Sequence, residues 1–227
     1  VDLILPTLLD TIDNFETTYI KAIFDHILII LRIFKNNFKK YLKEVLDVVT
    51  VYIKDKEFQI IVFSILIKML EEFLDEMEIY FPNLIPLLLS LLDGANVHKH
   101  IFVCLTIMSD KLSNFLSLVI PEIMKYFLYI TTSYETRYAK PRESIIFDDN
   151  KLYDDVFIFI ERIIPLPNFS QYLPKVVNGL LKYLEVNINS QDKIMHIFVI
   201  MNEKLRADFL IFLPTIIRTV RQLNINL

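Results

Sequence analysis

The sequence predicts an all-α fold built of helical hairpins packed side by side, and three observations carry that reading. Glycine occurs only twice in 227 residues, at Gly94 and Gly179, against an ordinary usage of about 7%. Apolar residues recur at helical spacing over long segments. A short aromatic-apolar motif, often closed by proline, returns along the whole chain.

So few glycines disfavour sheets joined by tight hairpins, which rely on residues that accept positive φ. The stretch Phe58, Ile61, Val62, Ile65, Leu66, Met69, Leu70 and Phe73 follows the i, i+3, i+4, i+7 rule of one helix face. From Lys21 to Lys35 only a narrow stripe of Lys21, Asp25 and Arg32 is polar. A helix apolar on most of its circumference needs neighbours on several sides. Stacked helical hairpins supply them, because each inner helix meets its own partner and the units before and after it.

The motif stands at Ile4–Leu9, Tyr41–Asp47, Tyr80–Pro86, Phe115–Pro121, Tyr172–Asn178 and Phe209–Pro214. Its anchor positions Pro6, Asp47, Pro86, Pro121, Asn178 and Pro214 lie 41, 39, 35, 57 and 36 residues apart. Four of these five spacings sit near the period of about 40 of HEAT-type repeats, an α-solenoid architecture. The units so defined are 1–37, 38–78, 79–112, 113–167, 168–207 and a final helix over 208–224, in a single array. The long spacing holds an insertion over 131–150, where the apolar rhythm lapses and a polar stretch around Pro141 reads as an exposed loop. Proline removes a backbone donor and crowds the preceding turn, so it starts or bends the first helix of a unit. Second helices are expected over Glu16–Asn36, Asp55–Met77, Val97–Leu112, Lys151–Ile164 and Gln191–Leu205, with Asp93, Asn96 and Ser190 as N-caps.

At 54% hydrophobic and 23% charged residues, the chain is too apolar for disorder and apolar enough to raise the question of a membrane. A spanning helix needs about 20 nearly uncharged residues. The best candidates fail: Ile27–Leu31 stops at Arg32, Phe81–Leu92 stops at Asp93, and Ser113–Ile130 carries Glu122 and Lys125. No basic and apolar leader opens the sequence, which begins in mid-pattern as an excerpt would. One cysteine, Cys104, forms no internal disulfide and suits a reducing compartment, so the expected location is cytoplasmic. A net charge of -4 with mixed signs gives no basic footprint for nucleic acid.

No catalytic constellation emerges. Phosphoryl transfer needs a glycine loop, a paired lysine, a catalytic aspartate and metal-binding carboxylates, and two separated glycines cannot make the loop. His98, His100 and Cys104 are candidate metal ligands close in sequence. On a helix, however, the two histidines diverge by about 200°, whereas a helical ligand pair needs i, i+4 spacing. Glu71, Glu72, Asp75, Glu76 and Glu78 form an acidic run, and Lys39, Lys40 and Lys43 a basic one. Each reads as a solvated helix end, with a basic partner or cation for the first and a phosphate or lipid group for the second as the alternatives.

Taken in order, Phe38-Lys39-Lys40-Tyr41-Leu42-Lys43-Glu44-Val45, Ile79-Tyr80-Phe81-Pro82-Asn83-Leu84-Ile85-Pro86, Leu112–Pro121 and Phe209–Pro214 resemble the successive HEAT units that precede the FAT domain in target-of-rapamycin (TOR) protein kinases. The similarity spans nearly the whole chain and includes the lengthened connection Ser133–Asn150. Glu122 departs from it, standing where the family has a second proline. The resemblance implies a non-catalytic scaffold segment of a serine/threonine kinase of the PI3K-related family that controls growth in response to nutrients. It further implies adaptor subunits of the TOR complexes and small GTPase activators as partners, dimerisation in the parent complex, and recruitment through partners to an endomembrane surface. ATP and magnesium belong to the kinase domain outside these residues, and this segment has no cofactor. The rival reading is a free-standing HEAT adaptor, such as a transport receptor or phosphatase scaffold.

Overall fold

The computed structural model describes residues 2–12, 16–92, 97–126 and 149–224. Every regular element among them is helical. The chain divides into two compact units, Val1–Met108 and Ser109–Leu227.

The first unit contains α1 (Ile4–Thr11), α2 (Thr17–Ile33), the short α3 (Lys35–Phe38), α4 (Leu42–Tyr52), α5 (Gln59–Met77), α6 (Phe81–Ser90) and α7 (His98–Ile107). Helix α5 is its centre: α2 packs along one side, α7 along another, and α4 closes against it. Helix α1 meets both α2 and α4. The apolar stretch from Phe58 to Phe73 becomes α5 with the residue just ahead of it, and all of its members but the half-buried Ile61 are buried. At the α2–α4–α5 junction, Phe24 lies 5.3 Å from Tyr52 and 5.9 Å from Phe58, ring centre to ring centre, and Tyr52 and Phe58 are 5.5 Å apart. Phe38 stacks on Phe73 at 6.3 Å.

The second unit holds α8 (residues 116–126), α9 (Asp149–Ile163), α10 (Leu173–Val186), α11 (Gln191–Leu205), α12 (Ala207–Leu210) and α13 (Leu213–Gln222). Helix α11 packs on α9, α10 and α12, and α9 packs on the 3-10 segment Ser109–Phe115 ahead of α8. Gly179 in α10 has a reason to lack a side chain, because a Cβ there would stand 3.1 Å from the Met124 sulfur in α8. The other glycine, Gly94, lies outside the described residues.

One local device recurs at five helix starts, Leu42, Phe81, Leu116, Leu173 and Leu213. The starting residue is buried in the first four and half-buried at Leu213. Four residues earlier a large apolar side chain is always buried: Phe38, Met77, Leu112, Phe169 and Phe209. The residue immediately before the start is always a half-buried aromatic: Tyr41, Tyr80, Phe115, Tyr172 and Phe212. The backbones of Tyr41, Tyr80, Tyr172 and Phe212 share one conformation, with φ between -90° and -106° and ψ between -16° and 8°. That region, near φ -90° and ψ 0°, closes a turn and admits a new helix direction. The tight turn therefore points two apolar side chains inward, one on either side of the bend. Burying each contributes about 1.5–3 kcal/mol, enough to fix the direction of the following helix.

Several expectations need correction. The helix expected over Asp55–Met77 starts at Gln59, because the Asp55 carboxylate accepts the Glu57 amide at 2.9 Å and holds a turn there. The one expected over Glu16–Asn36 ends at Ile33, where Phe34 leaves the helical region at φ -112° and ψ 41°. Val97–Leu112 is not one helix: α7 stops at Ile107 and the 3-10 segment takes over at Ser109, turning the chain into the next helix start. Helix α9 begins at Asp149, within the stretch assigned to the insertion; the rest of that insertion, 131–148, lies outside the described residues. Ser190 occupies the N-cap position of α11 without a side-chain capping bond, and Asp93 and Asn96 lie outside the described residues.

Arg206, between α11 and α12, adopts φ 42° and ψ -110°, a conformation that costs a non-glycine residue about 1–3 kcal/mol. Its side chain is exposed. Glycine relieves that strain but adds about 0.5–1 kcal/mol of unfolded-state entropy. The strain term is the larger, so Arg206→Gly should stabilise the protein by about 1 kcal/mol, read as a higher urea midpoint. A lower midpoint would contradict the assigned backbone geometry.

Candidate interaction surface

The six anchor residues hold one register in four cases. Asp47, Pro86, Pro121 and Asn178 are each the sixth residue of α4, α6, α8 and α10. Asp47, Pro86 and Asn178 are exposed and Pro121 is half-buried. The anchors therefore mark position, while the cohesion comes from apolar residues around the helix start. Pro6 is the third residue of α1. Pro214 is out of register: it is the second residue of α13, and Arg218 occupies the sixth position. Aligning on a proline misses this because Pro82, Pro174 and Pro214 are first-turn prolines, tolerated where no intrahelical N–H bond is needed. In the structural register the last two helix starts, Leu173 and Leu213, are 40 residues apart.

The acidic and basic runs, each read alone as a solvated helix end, meet in space. Lys35 pairs with Glu72 at 2.7 Å and Lys39 pairs with Glu76. Lys21 pairs with Glu57 at 3.1 Å. Lys68 holds Glu72 at 2.7 Å and Glu71 at 3.1 Å from the same helix. Lys40 pairs with Asp2 at 2.6 Å, and the Tyr41 hydroxyl donates to the same carboxylate at 3.1 Å. In the second unit Lys193 of α11 pairs with Asp154 of α9. The pairs that join different elements stand 36 to 39 residues apart in sequence, within the range of four of the five motif spacings. That spacing is the signal the sequence offers: opposite charges about one motif spacing apart meet in the packed helices.

The pairing shifts the acids downwards. The Lys35 ammonium, then that of Lys68, holds the Glu72 carboxyl below the usual range. Lys39 does the same for Glu76, and Lys40 with Tyr41 for Asp2. Glu72 raises Lys68 in return, ahead of Glu71. A carboxylate with a depressed folded pKa stabilises above its unfolded value, and that stability is lost as pH falls through the folded value. Loss should therefore begin below about pH 4.3, the ordinary glutamate value. Exposed pairs contribute little individually, so the test is comparative. Lys35→Met should reduce the difference in urea midpoint between pH 6 and pH 3; an unchanged difference would show that the pair carries no linkage.

The metal candidates have other occupations. The His98 Nε2–H donates to the Leu92 carbonyl at 2.7 Å, tying the start of α7 to the end of α6. The His100 ring packs 5.5 Å from Phe63 of α5. Cys104 is buried and its thiol is pushed far up by desolvation. Among the described residues, no group of three or more histidine, cysteine or acidic side chains is placed to hold a metal ion. No single described helix is long and apolar enough to cross a membrane.

What the surface offers is a set of exposed apolar side chains on otherwise packed helices. In the first unit they include Tyr19, Ile29 and Ile33 on α2 and Ile60 on α5; in the second they include Ile158 on α9 and Val199 on α11. Exposed apolar side chains contribute to association by shape and desolvation where a partner covers them. No protein-family model matches this chain, and no curated protein matches its sequence.

Proposed function

We propose that this chain is a run of HEAT-type helical hairpins, an α-solenoid scaffold that binds proteins and performs no chemistry of its own. The observation that carries the reading is the fivefold helix start, in which Phe38, Met77, Leu112, Phe169 and Phe209 repeat one role. Its natural complement is the packing of successive second helices, α2 on α5, α5 on α7 and α9 on α11. Units that contact mainly their neighbours build extended surfaces, and extended surfaces suit partner subunits.

The narrower proposal is that the scaffold belongs to a TOR-like serine/threonine kinase acting in the cytoplasm and at endomembranes. It is supported by the order of the motifs at Tyr41, Tyr80, Phe115 and Phe209 and by the wide gap after Pro121. Adaptor subunits and small GTPase activators are then its partners. The reading frame downstream of Leu227 tests the assignment. FAT-type helices followed by a catalytic domain with a phosphate loop and metal-binding carboxylates are expected. Further repeats closed by a polar cap would replace the kinase with a free-standing adaptor. The purified 227-residue chain should also turn over no ATP; turnover at a constant specific activity through purification would overturn the scaffold reading.

A further inference from the structure

Counted from the five recurrent helix starts, the third, sixth and tenth residues share one side of each helix, because steps of three and seven residues return to the same face. In α4, α6, α8, α10 and α13 every residue on that face is exposed except the half-buried Pro121. Helices precede and follow α10, so its exposure belongs to the register and not to a chain end. Charge divides the face sharply. In α4 and α6 it carries Glu44 and Asp47 and no cation. In α8, α10 and α13 it carries Lys125, Lys175, Lys182 and Arg218 and no acid.

Among the described residues, no carboxylate pairs with Lys175, Lys182 or Arg218. Lys125 reaches Glu122 of its own helix at 3.4 Å, and Glu185 stands one turn beyond Lys182 without pairing to it. Lys175 and Lys182 lie on one line, two turns and about 10 Å apart along α10. The first unit shows what such a row fits. Lys35 and Lys39, four residues apart, meet Glu72 and Glu76, also four residues apart, on a neighbouring helix. A helix is thus a ruler on which acids can be spaced to match a row of cations. A lipid surface would call for apolar side chains beside the cations, and on α10 and α13 this face has none: Lys175, Asn178 and Lys182 on the first, Thr215, Arg218 and Gln222 on the second. Single-stranded nucleic acid would call for aromatic platforms, and those six positions hold no ring.

We propose that the basic row of the second unit docks an acidic helix of a partner protein, laid along α10. Carboxylates seven residues apart on that helix meet Lys175 and Lys182, and acids beside them reach Lys125 and Arg218 on the helices before and after. The common row across α8, α10 and α13 rests on the hairpin register of the scaffold reading; the proposal adds which face of the second unit binds and the chemistry of what it takes.

Two dye-labelled alanine-based peptides of about 20 residues, long enough to form helices in isolation, test it by fluorescence anisotropy against the 227-residue chain. One carries glutamates at i, i+3 and i+7 along a single face; the other has the same composition with its glutamates spread around the helix. The first should bind at least about tenfold more tightly, and more weakly as salt screens the pairs. Lys182→Glu and Arg218→Glu should each weaken it at least about tenfold, while Lys43→Glu, on α4 in the first unit, should leave it unchanged. All three positions are exposed, so the variants should keep the parent's urea midpoint. Equal binding of the two peptides, or no effect of either reversal in the second unit, would overturn the proposal. So would phosphatidylserine vesicles or a single-stranded oligonucleotide that binds where the patterned peptide does not, with Lys182→Glu abolishing that binding. Loss with Lys182→Glu but not with Arg218→Glu would put α10 and α13 on different faces and sink the hairpin register itself, a failure distinct from the others.

Discussion

Replacing Phe24 by alanine should lower the stability of the first unit by about 3–5 kcal/mol, the range for deleting a large side chain in a packed core. Phe24 is fully buried and is the shared ring of a three-aromatic contact. Tyr52 meets it edge-on at 5.3 Å from the end of α4, and Phe58 meets it at 5.9 Å from the start of α5. Removing it opens a cavity where three elements converge and also forfeits aromatic pair energies of about 0.5–1.5 kcal/mol each. Total stability of a domain is only about 5–15 kcal/mol, so this one change takes a large share. Phe24→Leu, which refills part of the volume, should recover more than half of the loss. A urea midpoint for Phe24→Ala close to that of the parent protein would show that the α2–α5 packing is not the centre of the unit.

The second large effect is expected at the helix start of α10. Phe169 is fully buried and sits four residues ahead of Leu173, the position held elsewhere by Phe38, Met77, Leu112 and Phe209. Asn168, just before it, takes a left-handed conformation at φ 67°, which asparagine accepts more readily than most residues. Phe169→Ala should therefore cost about 3–5 kcal/mol by unseating the bend as well as emptying the site. Gln171, exposed in the same turn, is the control, and Gln171→Ala should stay within about 0.5 kcal/mol of the parent. If the two substitutions cost the same, the turn is not an organising device and the repeat is only a coincidence of sequence.

Much of this fold is legible in the sequence because helical periodicity is a local signal. Helix α11 has the bounds that its periodicity predicts, Gln191–Leu205, and the apolar spacing from Phe58 to Phe73 marks the buried face of α5. The apolar pattern around Tyr41, Tyr80, Phe115, Tyr172 and Phe212 also announces its own recurrence. Interactions that depend on how far one hairpin is offset from the next are hidden from such a local signal. The basic run at Lys39, Lys40 and Lys43 and the acidic run from Glu71 look like separate solvated ends because the Lys39–Glu76 pair exists only once α2 lies on α5. The Asp55 turn is hidden for a different reason: a single side-chain hydrogen bond delays a helix that periodicity alone would start earlier. Proline misleads at Pro214, where a first-turn residue aligns with mid-helix ones. The narrow stripe of Lys21, Asp25 and Arg32 foreshadows a helix with neighbours on several sides, but which side is covered depends on where α5 packs.

The central claim is that the chain is assembled from hairpins that depend mainly on their neighbours. Native-state hydrogen exchange on Phe169→Ala tests it most directly. Amides of α9, α10 and α11 should lose protection by at least about a hundredfold, while those of α2 and α5 keep the parent protein's rates, because perturbations in such arrays remain near their origin. A uniform loss of protection through α2, α5 and α10 would mean a single indivisible core, and would contradict the repeat account.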